Sequence, residues 1–523
     1  MAAVTQRINS YLGGVSKQSD DKMLPGQVRE CYNGFPDATY GLTKRPGFKH
    51  IVNLGTGTTY DDGKWFYIKR DDDEEYVGVI KGNAINIWNA VSGNACTVTY
   101  GTNAQTYLSG VKTDYKIITV QDTSIVINSS VTVTTQAAPT FTTGLVASIE
   151  VAYVTSNTTY TINITIGGST QTASYTSPSS GVDVDTILSS LESSINGMSG
   201  DHANITVTRL ANSLELTSPA SMEVDAEGGI DNKGLLSVQD EVASVGELPV
   251  RSVQNRVVKI VNTNSSADTY FAKFKAHNDV SGDGYWEETR DPSVSAGLND
   301  STLPHELVNT AVDTFIFREI SYEDRLVGDD ETNSHPSFKD EKITAGFFHN
   351  NRLGFLSKDN VIMSQSGDFY NFYFKSAQTT IDSDPVDISC SSIKPTALHA
   401  ALPTAQGVVL FSENQQFVMF ADAGVLTPAL ATIRALSNYE MDRNIEPVDV
   451  GTNLNFITKT PGYSRVFSMV TRGQQENPQV LDLSRVVKEW ISPDIDQLIS
   501  SPQNSMVAMS SQSSKEVYIF RYY

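Results

Sequence analysis

The sequence predicts a mainly β protein: an interrupted β-propeller with an inserted α+β (ββαββ) domain and a further small β domain. One observation behind this prediction is composition, because Thr, Ser, Val, Ile and Tyr are broken throughout by Gly, Asn and Asp, as is typical of short strands and turns. The other is periodicity. Pairs of apolar strands joined by a polar turn recur roughly every 50 residues, close to the repeat of a propeller blade.

The recurring hairpins lie on both sides of a long region that lacks them. A hairpin of this kind cannot bury both of its faces alone, and stacking such units radially supplies the missing core. An insertion near residues 140–340 therefore explains the interruption better than two separate β domains. The predicted hairpins are 64–69 with 75–80, 115–120 with 124–128, 352–357 with 360–364, 407–412 with 416–420, 453–458 with 464–469, and 505–510 with 516–520.

The region between them has its own pattern. Its single predicted helix spans 184–195, where four apolar residues fall on one face and Asp183 or Asp185 can cap the start. Two hairpins flank this helix, and a small β unit follows. Two stretches of low hydrophobicity are predicted as linkers or mobile loops. The hairpins are 159–165 with 171–176 and 204–209 with 213–217, the β unit comprises 257–261, 270–275 and 284–289, and the linkers are 223–233 and 325–340.

The length of 523 residues suggests about three domains, and these patterns divide the chain into four segments. Residues 1–140 form an N-terminal arm and the first blades, and 141–245 form the inserted ββαββ domain. Residues 246–340 form the small β domain and a linker, and 341–523 form the remaining blades. The sequence stops within a predicted strand that has no closing partner. Either this strand pairs with an earlier one, or the last segment is incomplete and the chain belongs to a longer polypeptide, which is the interpretation we favour.

The charge limits the possible functions. Sixty acidic and 38 basic residues give a formal net charge of −22. A surface of this average charge does not wrap nucleic acid, because phosphate binding requires clustered Lys and Arg. It also disfavours binding to an anionic membrane. An acidic surface can line a passage that DNA crosses without sticking, but composition does not distinguish this from ordinary solubility.

The sequence predicts neither membrane insertion nor structural disulfides. It has no apolar run of about 18 residues, and its start lacks a basic segment followed by an apolar block. We therefore expect synthesis and assembly in a cytosol. Cys31, Cys96 and Cys390 are isolated and are expected to be free, mostly buried thiols.

No catalytic residue, cofactor site or metal site is predicted. The seven histidines are scattered without ligand spacing, no GxSxG elbow occurs, and Gly167-Gly168 is followed by no Lys and opens no helix. Two acidic clusters contain the carboxylates that a calcium site or a glycosidase carboxylate pair requires. The cluster at 71–75 is interpreted as a solvated turn. The cluster of Asp382, Asp384 and Asp387 lacks the spacing of a calcium-binding loop.

Three groups of residues are candidates for contacts with a partner. A basic patch meets a phosphate or an acidic partner, or else simply ends a strand and points outward. An aromatic cluster is interpreted first as packing between blades and alternatively as a subunit interface. Two aspartates belong to a turn or a subunit contact. The residues are Lys44, Arg45 and Lys49, with His50 nearby; Phe369, Tyr370 and Phe372; and Asp382 and Asp384.

Three stretches of the sequence carry a family resemblance. They are residues 8–18 (INSYLGGVSKQ) with 41–46 (GLTKRP), residues 351–372, and residues 382–388 running on to 411–417. Together they resemble the tail tubular protein B family, the nozzle proteins of short-tailed bacteriophages. The resemblance implies a homohexamer at the distal end of a short, non-contractile tail. It also implies attachment to the tail adaptor (tail tubular protein A) ring and help in holding the tail fibre protein.

The same resemblance implies a virion protein, assembled in the host cytoplasm, that encloses the exit channel for viral double-stranded DNA without reading its sequence. It supplies no catalytic residues. An acidic lumen that repels phosphate is our hypothesis for how the DNA slides. Two alternatives remain: a virion propeller that binds or degrades glycans through Asp382 or Asp384, and a plain cytosolic propeller scaffold.

Overall fold

The computed structural model describes residues 8, 10–55, 58–262, 269–392, 396–421, 425–470 and 477–522. Within these ranges the protein is mainly β with one α-helix, which confirms the predicted class. None of the helical segments in these ranges has the length and apolar character needed to span a bilayer. Short 3₁₀ turns lie in the connections at Ala104–Leu108, Gly200–Asn204, Ile230–Asn232, Val245–Glu247, Asp300–Thr302, Arg485–Val487 and Pro502–Asn504.

The described part of the chain begins with an irregular segment, which a small hairpin follows. Strands β1 (Gly34–Asp37) and β2 (Gly41–Lys44) pair antiparallel. Their turn is held by Asp37, whose carboxylate accepts hydrogen bonds from the backbone N–H groups of Thr39 (2.8 Å) and Tyr40 (3.1 Å). Such Asx turns fix a loop without tertiary contacts, so the hairpin is locally rigid.

The first large sheet, sheet 1, is an antiparallel meander of β3 (Lys64–Lys69), β4 (Glu75–Lys81) and β5 (Ala84–Asn89). The turn between β3 and β4 is exposed, and the Asp71 carboxylate accepts the backbone N–H groups of Asp73 and Glu74. The prediction of a solvated acidic turn is confirmed.

Sheet 2 is divided by a long excursion of the chain. It starts with β6 (Thr97–Tyr100), β7 (Tyr115–Val120) and β8 (Thr123–Asn128), and the chain then leaves to build two other units. When the chain returns, β21 (His305–Ala311) and β22 (Thr314–Glu319) complete the order β6-β22-β21-β8-β7. The residues between β8 and β21, called the excursion below, are therefore inserted between two strands of one sheet.

The first unit of the excursion packs two sheets and one helix around a single core. Its sheets have the orders β11-β10-β14 and β12-β13-β9-β15. The Asp183 carboxylate caps helix α1 by accepting the N–H of Thr186 at 2.7 Å. The elements are β9 (Val146–Val151), β10 (Thr159–Ile166), β11 (Ser169–Thr176), α1 (Val184–Asn196), β12 (Thr206–Leu210), β13 (Ser213–Thr217), β14 (Met222–Glu227) and β15 (Leu235–Val238).

One predicted linker is in fact a strand of this unit. Residues 223–233 were expected to be a linker, but β14 pairs with β10 along its length. Met222 and Val224 point into the core, whereas Glu223, Asp225 and Glu227 are exposed. The acidic residues lower the average hydrophobicity of the segment and conceal the period-2 alternation of a half-buried strand.

The second unit is one five-stranded sheet, the small sheet, with the order β16-β18-β19-β20-β17. A buried ion pair joins it to the preceding unit: Arg256 Nη1 lies 3.1 Å from Glu215 Oε1, and both side chains are at most 2% exposed. Arg256 also donates to the carbonyl oxygens of Val238 and Gln239. The strands are β16 (Glu241–Val242), β17 (Arg251–Val253), β18 (Val257–Ile260), β19 (Tyr270–Ala276) and β20 (Ser281–Thr289).

The chain then rejoins sheet 2 through β21 (His305–Ala311) and β22 (Thr314–Glu319), which pair with β8 and with β6. The predicted domain boundaries assigned β21 and β22 to the small β domain and its linker, residues 246–340. The following stretch, 325–340, was expected to be a mobile linker but is packed. Arg325 and Phe338 in it have no exposed surface.

The last four sheets follow in chain order as antiparallel meanders, and the hairpins predicted there are confirmed. Sheet 3 comprises β23 (Ala345–His349), β24 (Arg352–Ser357), β25 (Asn360–Met363) and β26 (Val386–Ser389); sheet 4 comprises β27 (Leu398–Thr404), β28 (Gly407–Ser412), β29 (Gln416–Ala421) and β30 (Ala431–Ser437); sheet 5 comprises β31 (Val448–Asp449), β32 (Asn453–Thr460), β33 (Tyr463–Val470) and β34 (Gln479–Asp482); and sheet 6 comprises β35 (Gln497–Ser501), β36 (Met506–Ser510) and β37 (Val517–Arg521).

Sheets 1 to 6 pack face to face in order, with one apolar cluster between each consecutive pair. Sheet 6 in turn reaches sheet 1 through polar contacts. The Gln512 side chain donates to the carbonyl of Gly63 at 3.4 Å, and Lys112 Nζ lies 2.9 Å from Gln512 Oε1 and 3.8 Å from Asp496 Oδ2. Loop residues beside sheets 1, 2 and 6 therefore lie in contact with one another.

Removing one partner of the buried ion pair should destabilise the excursion strongly. We expect Arg256→Met to lower the free energy of unfolding by about 3–5 kcal/mol, because it leaves the Glu215 carboxylate buried without a counter-charge. Urea denaturation and hydrogen exchange in β9 and β13 measure this. Adding Glu215→Leu should recover most of the loss. The exposed Arg251–Asp283 pair provides the control: Arg251→Met should cost less than about 1 kcal/mol, and equal costs would contradict the account.

The buried imidazole of His305 should make stability depend on pH. It is 1% exposed and stacks on Tyr107 with ring centroids 4.1 Å apart, and burial lowers its pKa from 6.5 to about 4. Because the folded state resists protonation, the free energy of unfolding should fall as pH drops from 6.5 to about 4, by at most about 3 kcal/mol. His305→Phe should reduce this slope and leave the part due to other histidines such as His335, whose pKa burial also lowers to about 4. His277→Phe, at an exposed site, should leave the slope unchanged. A wild-type slope retained in His305→Phe would refute the assignment.

Candidate functional site

The N-terminal hairpin is anchored to the last strand of the chain. The Arg521 guanidinium lies 4.4 Å from the ring centroid of Phe35, donates to the carbonyl of Pro36 at 2.8 Å, and lies 3.5 Å from the Asp37 carboxylate. Stacking, a hydrogen bond and an ion pair thus act together on one side chain. They hold β1 and β2 against β37 of sheet 6.

The predicted basic patch begins where this hairpin ends, and all of it is exposed. Lys44 is the last residue of β2, and Lys49 lies five residues further on. Arg45 between them is fixed: its Nε donates to Asn33 Oδ1 at 2.7 Å and its backbone N–H to the Asn33 carbonyl at 2.8 Å. The guanidinium also covers the ring of Phe48 at 4.7 Å. The patch therefore has a defined position on the surface.

Exposed apolar side chains surround the patch, and sequence reasoning missed them. Tyr40 is 80% exposed and Phe48 is 89% exposed, well above what a large aromatic ring normally shows. One signal was present in the sequence: residues 38–60 contain no Asp or Glu, although the chain is strongly acidic overall. Hairpin and patch together form a cationic, aromatic surface.

The aromatic cluster is divided between core and surface. Phe372 is 5% exposed and packs within 5.5 Å of the rings of Phe338 and Phe355, in the cluster between sheets 2 and 3. Phe369 packs edge-on against Phe348, and Tyr370 is likewise only partly buried. Phe372 is thus positioned to join sheets within the chain, and only Phe369 and Tyr370 retain surface for a partner.

The acidic segment after this cluster is organised by a buried arginine. Arg352 is 1% exposed, and its guanidinium donates to five backbone carbonyl oxygens. Burial lowers the pKa of Arg352, and the charge of Asp384 opposes that shift. Sequence reasoning took this residue only as part of a strand. The carbonyls belong to Ser364 (2.8 Å), Ser383 (3.2 Å), Asp384 (2.6 Å), Asp382 (2.9 Å) and Leu426 (3.4 Å).

The two aspartates named as candidates differ completely in exposure. Asp384 has no exposed surface, and its Oδ2 accepts the backbone N–H of Ile381 at 2.8 Å. Asp382 is exposed. Because the two carboxylates do not face a common surface, they cannot act together on a ligand. Asp384 shapes the turn, and Asp382 remains available for contact.

Strands of sheets 2, 3 and 4 line a small cavity of about 70 Å³. Its wall includes β7, β23 and β27, and Glu446 lies at its edge between two lysines. The Glu446 carboxylate is 3.0 Å from Lys116 Nζ and 3.5 Å from Lys64 Nζ. Although burial alone raises its pKa, these two charges hold the pKa of Glu446 at about 2. The ion triad links sheet 1, sheet 2 and the start of sheet 5.

This cavity has room for one or a few water molecules, far below the roughly 300–1,000 Å³ of sites for small ligands. In the part of the chain that the structure describes, no group of three or more His, Cys, Asp or Glu residues is placed to hold a metal ion. Cys390 is buried, whereas Cys31 and Cys96 are partly exposed, and all three are free thiols.

Comparison with known proteins identifies a family. The family described as bacteriophage nozzle protein matches residues 1–523. The tail tubular protein gp12 of Escherichia phage T7 is 26% identical over 490 residues, which cover 89% of this chain and 59% of that protein. The chain thus spans about three fifths of the length of this relative.

Solved structures resemble this chain only distantly. The β-propeller domain of Myceliophteria thermophila Cps50 (Swd1) matches with a TM-score of 0.31 and 8% identity, covering 90% of this chain and 100% of that one. The extracellular domain of a putative hybrid two-component system of B. thetaiotaomicron matches with a TM-score of 0.26 and 10% identity, covering 61% of this chain and 38% of that one. Likeness at this level carries no argument.

Loss of the buried arginine should release the acidic segment. Arg352→Met leaves five carbonyl groups without their donor, so we expect a loss of about 3 kcal/mol or more in unfolding free energy. Amides of residues 381–384 should also exchange faster with solvent. Hydrogen exchange and chemical denaturation measure both effects. Arg443, 61% exposed beside Glu413, is the matched control, and Arg443→Met should change stability by less than about 0.5 kcal/mol. Unchanged exchange at 381–384 in Arg352→Met would contradict this role.

Proposed function

Because the chain belongs to the bacteriophage nozzle protein family, we propose that it forms the distal nozzle of a short phage tail, as a hexameric ring enclosing the DNA exit channel. The protein is a structural component of a phage tail, and its family is not enzymatic. The family match over the whole chain is the observation that carries the proposal.

The channel for DNA would lie between copies of the chain. The cavity beside the ion triad at Glu446 measures only about 70 Å³. A cavity of this volume holds one or a few water molecules and cannot contain a DNA duplex. A ring of several copies supplies a passage that one copy cannot.

The charge of the chain suits such a passage. Each copy carries a formal net charge of −22, and an acidic lumen would repel the phosphate backbone. Viral double-stranded DNA would then slide through without sequence-specific binding. Assembly in the host cytoplasm, attachment to the tail adaptor ring and support of the tail fibre protein complete the proposal.

Exposure decides which candidate residues are available for these contacts. Lys44, Arg45, Lys49 and Asp382 are exposed, and we propose them as partner contacts. Phe369 and Tyr370 offer partial surface. Phe372 and Asp384 are enclosed by the chain itself, and their proposed role is to shape the surface from within.

We also propose that sheets 1 to 6 are the blades of a six-bladed β-propeller. The support is their packing in chain order and the contact of sheet 6 with sheet 1. The inserted ββαββ domain (141–245) and the small β domain (within 246–340) would then interrupt blade 2, between β8 and β21. For the alternative of a glycan-binding or glycan-degrading propeller, a carboxylate pair of Asp382 and Asp384 has no support, because Asp384 does not reach the surface. Only the exposed Asp382 is left to carry that alternative.

Electron microscopy of the purified chain, alone and mixed with the adaptor ring, tests this function. We expect six-fold rings with an axial opening wide enough for a DNA duplex, stacked coaxially on the adaptor. Single particles that stay monomeric in both samples would contradict the proposal. Activity on host polysaccharide that is lost in Asp382→Asn would support the glycan alternative instead.

A further inference from the structure

We propose that the N-terminal arm, residues 38–55, docks on an acidic surface of a second copy of this chain. The inference rests on the proposed ring and adds which surface of the chain builds it. The partner is identified by charge and shape, as the following observations explain.

The arm exposes apolar side chains that a lone chain leaves in water. Five large apolar residues on it are between 42% and 89% exposed, including two aromatic rings. Exposed apolar clusters of this kind mark interaction sites, and Tyr, Phe and Arg are enriched among the residues that dominate binding at interfaces. The five residues are Tyr40 (80%), Leu42 (43%), Phe48 (89%), Ile51 (43%) and Val52 (42%).

The charge of the arm is opposite to that of the chain. Lys44, Arg45 and Lys49 are exposed, and no Asp or Glu occurs from residue 38 to residue 60. The whole chain has a formal net charge of −22, so the average surface of another copy is acidic. Complementary charges of this kind guide association and exclude wrong partners.

The arm is also held in position before any partner arrives. Arg521 anchors the base of the hairpin, Asp37 fixes its turn, and Asn33 fixes Arg45. Ordering costs on binding are therefore reduced. A projecting hairpin on one side of a chain, received by a different surface of the next chain, is a heterologous contact. Such contacts generate a closed ring when the rotation between neighbouring copies closes.

The apolar content of the arm favours protein over nucleic acid as the partner. Phosphate contacts require cations and polar donors, and they leave Leu42, Ile51 and Val52 without a role. An interface with a second protein buries the aliphatic residues and the aromatic rings together and places the lysines at its polar rim. One protein–protein interface then accounts for both the exposed apolar side chains and the positive charges of the arm.

Sedimentation velocity and native mass spectrometry of the full chain test the proposal. Two variants remove different features: Tyr40→Ser with Phe48→Ser, and Lys44→Glu with Lys49→Glu. Each should weaken assembly by about tenfold or more in dissociation constant. The effect of the charge variant should shrink as salt rises, because rim charges are screened. All four side chains are exposed, so circular dichroism and thermal melting should remain as in wild type.

The matched control is Lys275→Glu with Tyr285→Ser, an exposed cross-strand pair on β19 and β20. It should assemble like wild type. If wild type forms rings and both arm variants form them equally well, this inference is overturned and the nozzle proposal stands. If wild type stays monomeric, both fail. If the arm variants assemble normally but lose affinity for a fluorescently labelled DNA duplex, the arm binds nucleic acid and the inference is overturned.

Discussion

The rest of the structure depends on each sheet being covered on both faces by its neighbours. Strand β28 illustrates this constraint: Val408 and Leu410 lie in the cluster shared with sheet 3, and Val409 and Phe411 lie in the cluster shared with sheet 5. Alternate side chains of one strand thus serve two cores. A strand that is buried on both faces reads in the sequence as a continuous apolar run, and the chain must place another sheet on either side of it.

Sheets 1 and 6, the first and the last, are the exception, because each shares an apolar cluster of described residues with only one neighbouring sheet. On sheet 6, the face away from the cluster with sheet 5 carries Ile499 (63% exposed), Val517 (58%) and Ile519 (50%). Polar contacts of Gln512 and the Arg521 anchor of the N-terminal hairpin hold sheet 6 in place instead. The same arrangement brings Lys64, Lys116 and Glu446 together beside the small cavity.

Sequence reasoning reached the local hairpins because each one is encoded by two adjacent apolar runs and a polar turn. It missed β21 and β22, since their partners β6 and β8 lie about 180 to 220 residues earlier and no local pattern records such pairing. The acidic face of β14 concealed a strand. The sequence predicted which residues lie at the candidate sites better than it predicted which of them are exposed. The sequence around Asp382 and Asp384 does not show which carboxylate is exposed and which is buried. The structure shows it, because the buried Arg352 guanidinium donates to the backbone carbonyls of both residues and so fixes the path of the chain there.

Zero-length cross-linking with a carbodiimide tests the central claim, the proposed closure of the six sheets, most directly. The reagent joins only amines and carboxylates that are in contact, and peptide mass spectrometry identifies the pairs. The account predicts amide links between Lys64 and Glu446 and between Lys112 and Asp496 in the monomeric fraction, with Lys459–Asp442 within sheet 5 as the positive control. A monomer that yields the control link but neither of the other two would contradict closure.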